Sequence, residues 1–171
     1  MVVRVFVLGI DPGLTRCGYG AVERRGGELR AVAAGVLRTP TEADVAVRLA
    51  ELQTGIRALL DELRPEVVAV ERLFFQSNVR TAMSVGQASG VVLAEAVAAG
   101  CVVVQYTPNE VKSAVTGTGR AGKDQVQRMV QAILRLEATP RPPDAADALA
   151  LALTHHARAP LATRLAQGAA R

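Results

Sequence analysis

The feature that most constrains this chain is residues 2–10, a run that is apolar almost throughout and hardly alternates. A strand with one wetted face alternates apolar and polar residues, so a strand without that alternation has to be covered on both faces. Arg4 inside the run and Asp11-Pro12 at its end identify a buried strand and not a signal peptide. Residues 67–70 and 101–106 are two further runs of this kind.

The elements between them follow from turn and cap signals. Gly9-Ile10-Asp11-Pro12-Gly13 closes the first strand in a tight turn. Residues 17–24 and 29–37 read as strands of a hairpin joined through Gly26-Gly27. A helix is predicted over 42–63, with Thr41 as its cap and Val45, Leu49, Leu52, Ile56, Leu59 and Leu60 at helical spacing; Pro65 stops it. The strand at 67–70 ends at Glu71, a long helix covers 77–99 and closes at Gly100, and the strand at 101–106 leads through Pro108 to a short helix ending near 115. After the glycine-rich loop 117–122 comes a helix over 123–136, then a stiff linker with Pro140, Pro142 and Pro143. The last helix is predicted over 144–157. The basic tail from 159, carrying Arg164 and Arg171, is expected to be poorly ordered. The order β-β-β-α-β-α-β-α-α-α specifies an α/β protein: one domain over 1–158, with a five-stranded mixed sheet and helices on both faces.

Composition narrows the functional classes. At 171 residues the chain is the size of one α/β domain, and with half its residues hydrophobic it is not globally disordered. The net charge of +4 and pI near 9.7 favour polyanionic partners. Cys17 and Cys101 form no zinc or CxxC pattern and are expected as free thiols, which suits a reducing cytoplasm. No stretch reaches 18 uninterrupted apolar residues, so no membrane span is expected. Arginine occurs 18 times and lysine twice, which singles out Lys112 and Lys123.

The chemistry lies in four acids. Asp11 and Glu71 end strands on either side of the first helix, and such strands run parallel and are often neighbours. Their carboxylates then face each other across about 4.8 Å, at the strand ends where open α/β sheets bind ligands. Asp144 and Asp147 are three apart, so both lie on one helix face with Cβ atoms roughly 5–6 Å apart. Four converging acids repel each other unless a divalent cation sits among them, and an all-oxygen set suits Mg²⁺ or Mn²⁺ and not zinc. Each acid also has an ordinary structural reading: Asp11 opening a turn, Glu71 as a solvated strand end, Asp144 and Asp147 favoured by the helix dipole.

Three further features concern binding. Phe74 and Phe75 are adjacent, so in an extended segment one points inward and the other is left to stack on an unpaired base. Six basic residues (Lys112, Arg120, Lys123, Arg128, Arg135, Arg141) face two acids over 112–141. Along the long helix Ala82, Gly86, Gly90, Ala94 and Ala98 make a stripe of small residues, which either presses on the sheet or admits a second copy of the chain.

Several ordered segments over about 4–157 resemble the RuvC family of crossover junction endodeoxyribonucleases. They are Leu8-Gly-Ile-Asp-Pro-Gly13 with Gly18-Tyr-Gly20, Glu71-Arg-Leu-Phe74, Gly86-Gln-Ala-Ser-Gly90, Val111-Lys112, Gly122-Lys-Asp-Gln-Val126, and Asp144-Ala-Ala-Asp-Ala-Leu-Ala150 with Thr154-His155. The resemblance implies an RNase H-like fold and a homodimer that resolves four-way junction DNA in recombination and repair. It also implies partnership with the RuvA–RuvB branch-migration complex. It places two Mg²⁺ ions per subunit, or Mn²⁺, on Asp11, Glu71, Asp144 and Asp147. It gives Phe74 the stacking role and Lys112 and Lys123 the DNA contacts, with Arg120 on the loop between them. A homodimer acting on two strands would place the small-residue face with Ala82, Gly86 and Gly90 at its interface, unless that stripe presses on the sheet. Some relatives carry His where this chain has Asp144. His155, late in the last helix, is read as a packing or surface residue, with a place near the metals as the other reading.

Two alternatives remain at this stage. Asp11-Pro-Gly-Leu-Thr15 also fits the first phosphate loop of the actin and sugar-kinase type, although those proteins close two domains over ATP and this length supplies one; no nucleotide cofactor is expected. The other is a non-catalytic junction-binding protein, against which the presence of all four acids argues.

Overall fold

A computed structural model describes residues 5–72 and 79–169. The run that opens the chain becomes β1 (Val5–Asp11), and its composition is explained by two cores, one on each face of the sheet. Val7 enters one core, while Phe6, Leu8 and Ile10 enter the other. β4 (Val67–Glu71) divides in the same way, with Val67 and Ala69 on one side and Val68 and Val70 on the other.

β2 (Arg16–Arg25) and β3 (Glu28–Arg38) form the expected hairpin. Its turn residues Gly26 and Gly27 sit at φ of 58° and 91°, a backbone region that side chains disfavour. With β5 (Val102–Tyr106) the sheet order is β3-β2-β1-β4-β5, antiparallel on the hairpin side and parallel from β1 through β5. α1 (Val45–Leu63) and α2 (Val79–Ala98) cover one face; α3 (Pro108–Thr116), α4 (Lys123–Ile133) and α5 (Pro143–Ala169) cover the other. The mixed five-stranded sheet with helices on both faces is the architecture expected from the element order. Cys17 is buried, and burial pushes its thiol up to about 12, so it packs as a protonated apolar group.

The differences from expectation sit at element ends. Thr41 does not cap α1: a turn with Ala43 N–H donating to Pro40 O takes up 40–43, and Asp44 is the cap residue, without a side-chain cap bond. α3 has a full capping box, with Thr107 and Glu110 bonding each other's backbone N–H groups. α4 stops at Ile133, not 136, because Leu134 turns into the core and Arg135 takes φ of 52°. α5 continues helical to Ala169, past the expected end at 157.

α1 and α2 are locked together by Glu95, buried on α2. It accepts from Arg57 Nε at 2.6 Å and Nη2 at 2.9 Å, and from Gln53 Nε2 at 2.5 Å. Among the described residues no helix is long and apolar enough to cross a membrane.

Candidate active site

Glycines on the sheet decide how closely α5 can lie on it. Gly9 and Gly20 are cross-strand partners, and Gly18 pairs with Asp11. A Cβ at Gly20 would sit 2.6 Å from Leu149 N, and one at Gly9 would sit 2.9 Å from Ala152 N. One at Gly18 would lie 2.7 Å from the carbonyl carbon of Asp144. Because these side chains are missing, the first turns of α5 rest directly on β1 and β2, and Asp144 and Asp147 come down over the end of β1.

β1 and β4 are adjacent and parallel, with Ile10 opposite Val70, so Asp11 and Glu71 reach the same sheet edge. Strand alternation points both towards α5, the side of Val7, Val67 and Ala69. Asp11, Glu71 and Asp147 line one open cleft of about 410 Å³ together with Lys112 and Lys123. Val111, Ala121, Val126, Ala150 and Leu151 also line it. Asp144 lies just outside it, on the β2 side, where Arg16 Nη2 donates to its Oδ2 at 2.5 Å. Lys123 Nζ meets Asp147 Oδ2 at 2.9 Å. A larger hollow of about 670 Å³, between the β2–β3 hairpin and the end of α4, is lined by none of the predicted site residues.

The electrostatics mark Asp11 as the strained member. Burial, then repulsion by Glu71, Asp147 and Asp144, raises its carboxyl from the ordinary 3.8 to about 7, against a smaller opposing pull from Lys123. Glu71 is raised by burial and by Asp147. Lys123 is raised above its ordinary value, first by its hydrogen bond to Asp147. Among the described residues no three metal-ligating side chains stand close enough to cage an ion as they are, and the two α5 acids each carry a cationic partner. The donor set still fits a hard divalent cation. It is all carboxylate oxygen, and burial and mutual repulsion raise the carboxyls of both strand-end members, a conflict that a cation among them would relieve.

The other predicted residues fall as follows. Lys112 lines the cleft and Arg120 is exposed on the loop beyond it, outside the lining. Phe74 and Phe75 lie outside the described residues. On α2 the buried positions are Ala88, Ser89, Val92, Glu95 and Ala96, so the small-residue stripe does not press on the sheet. Gly90 is exposed with open space where a Cβ would go, while Ala82 and Gly86 are half-buried. The same outward face carries Val79, Met83 and Val97 at 74%, 61% and 64% exposure. His155 is not in the cleft lining: its Nδ1 lies 2.9 Å from the Tyr106 hydroxyl, and burial holds its pKa below the usual range. His156 is buried, with Nε2 donating to Val22 O at 3.0 Å.

Sequence reasoning missed Arg16. The available signal was its place on β2, two residues before Gly18, which puts both on the face that receives Asp144.

The family model described as "Crossover junction endodeoxyribonuclease RuvC" matches residues 7–155. The protein of that name from Streptomyces avermitilis is 55% identical over 165 residues, covering 96% of this chain and 94% of that one. The one from Moorella thermoacetica is 54% identical over 156 residues, covering 91% and 93%. The solved structure of Thermus thermophilus RuvC in complex with a Holliday junction substrate superposes with a TM-score of 0.88 at 41% identity, over 93% of this chain and 97% of that one. The architecture is therefore RNase H-like, and the chain belongs to the RuvC family of crossover junction endodeoxyribonucleases.

Proposed function

We propose that this junction endonuclease resolves four-way DNA by paired symmetric nicks, with Asp11, Glu71, Asp144 and Asp147 as the carboxylates that hold divalent ions. Mg²⁺ or Mn²⁺, two per subunit, suits an all-oxygen set. The observation that carries this reading is the convergence at one sheet edge of acids from β1, β4 and the first turns of α5, with Asp11 raised to about 7 by burial and its neighbours. Divalent ions bound there supply water activation and charge stabilisation at the leaving 3′ oxygen, giving 5′-phosphate and 3′-hydroxyl ends.

The chain's own residues do the rest. Asp11 and Glu71, on rigid adjacent strands, fix one side of the site; the close seat of α5 on the glycines fixes the other. Lys112 and Lys123 border the cleft, positioned to hold phosphates of the cut strand, and Arg120 extends the basic surface along the loop. Phe74 stacks on an unpaired base at the junction. That role rests on the resemblance.

Two cuts related by symmetry need two sites, and the outward apolar face of α2 with Ala82, Gly86 and Gly90 is the surface we assign to a homodimer. The active assembly works in the cytoplasm, with RuvA–RuvB as the partner that family membership suggests. The deciding experiment compares nicking of a four-way junction, a linear duplex and an RNA–DNA hybrid, with and without a chelator. Junction-selective cleavage that stops on chelation is expected; equal cutting of all three substrates, or full activity in chelator, overturns the proposal.

A further inference from the structure

Two basic side chains hold the two α5 acids. Lys123, at the first position of α4, meets Asp147 at 2.9 Å, and Arg16, the first residue of β2, meets Asp144 at 2.5 Å. The placement of Arg16 follows from the strand. Arg16 and Gly18, two apart, face the same side of the sheet; Gly18 makes room for the backbone of Asp144, and Arg16 takes its carboxylate.

The manner of the contact differs from a structural clamp elsewhere in the same molecule. Arg57 grips the buried Glu95 through both Nε and Nη2. Arg16 touches Asp144 through Nη2 and Oδ2, and its Nε is buried without a hydrogen-bond partner. A guanidinium built to stay on a carboxylate uses its fork; one held at a single point with an unmatched donor is displaced more readily.

We infer that Arg16 is a positioning residue that holds Asp144 in the ion-free protein and competes with the divalent ion for that carboxylate. The inference rests on the proposed metal site. Guanidinium and ion seek the same oxygen, and the guanidinium charge also repels an ion entering beside it. Neutralising Arg16 therefore strengthens ion binding, the opposite of what damage to the site would do.

The test titrates Mn²⁺ calorimetrically into DNA-free wild type, Arg16→Gln, Arg16→Met and Arg16→Lys. The two neutral variants are expected to bind up to about fivefold more tightly, the span of a solvent-accessible ion pair, with Arg16→Lys close to wild type. Once Asp144→Asn is present, Arg16→Gln should tighten Mn²⁺ binding by less than it does in wild type, because only the charge repulsion is left to relieve. In chelator the neutral variants melt below wild type, and saturating Mn²⁺ closes the gap. Unchanged or weaker Mn²⁺ binding in both neutral variants, or a melting gap that persists at saturating Mn²⁺, overturns the role of Arg16 while leaving the metal site standing. Lack of saturable Mn²⁺ binding by the wild type overturns the metal site, and this inference with it.

Discussion

A carboxylate at the end of a buried strand has few water molecules to stabilise its charge, and Asp11 faces Glu71, Asp144 and Asp147 as well. Its pKa near 7, far above the unfolded value, means the folded ion-free protein keeps a proton that the unfolded chain has lost. Its contribution to stability is therefore greatest at acid pH and is lost as pH rises from about 4 to about 7. Glu71 acts in the same direction; His155 and His156, held below their ordinary range, act in the opposite one below 6.5. Comparison with Asp11→Asn isolates the Asp11 part. In chelator at pH 8 this variant should melt higher than wild type, by about 2–4 °C per kcal/mol of relieved strain, and the gap should vanish near pH 4. Junction cleavage should fall by more than ~100-fold, the larger figure for loss of an outer-shell metal partner. Calorimetric melting across pH, with nicking assays, checks both; an equal or lower melting point at pH 8 would contradict the strain argument.

At the scale of elements, the site depends on how low α5 rides. Gly18 stands where a Cβ would push into the backbone of Asp144. Gly18→Ala should lift the first turn of α5, cost about 1–3 kcal/mol in urea unfolding as an overpacked contact does, and cut nicking out of proportion to that loss. Gly26→Ala, at the far hairpin turn with open space around it, should cost stability through its φ of 58° and leave cleavage by the folded protein intact. Similar effects of the two changes on nicking by folded protein would remove α5 seating from the account.

For the whole molecule, two surfaces matter: the cleft with its lysines and the outward face of α2. Gly90 is open, so a large side chain there leaves the fold undisturbed and acts on whatever covers that face. Gly90→Arg is expected to give a folded monomer by light scattering, with circular dichroism unchanged and paired nicking lost. A stable, active dimer would move the interface elsewhere. Lys112→Ala should weaken junction binding and lower its salt dependence by about one phosphate contact, without affecting melting; wild-type cleavage with an unchanged salt slope would take Lys112 off the DNA surface.

Much of this was legible along the chain because it is encoded over a few residues. Apolar runs named the strands, Gly26-Gly27 the hairpin, Pro108 the start of α3, and the Asp-x-x-Asp spacing the shared face of Asp144 and Asp147. Helix ends were less so: a Pro40 turn displaced the Thr41 cap, and Leu134 left α4 early because the core had room for it. Tertiary structure alone decided the pairings. Arg16 meets Asp144 across 128 residues of sequence, the glycines have meaning only once α5 lies on them, and the α2 stripe proved to face outward only when α1 and the sheet had covered the opposite side. Local sequence sets dihedral preference and which residues seek burial; which partner arrives is set by packing between distant segments, where a missing Cβ or a nearby charge decides the outcome.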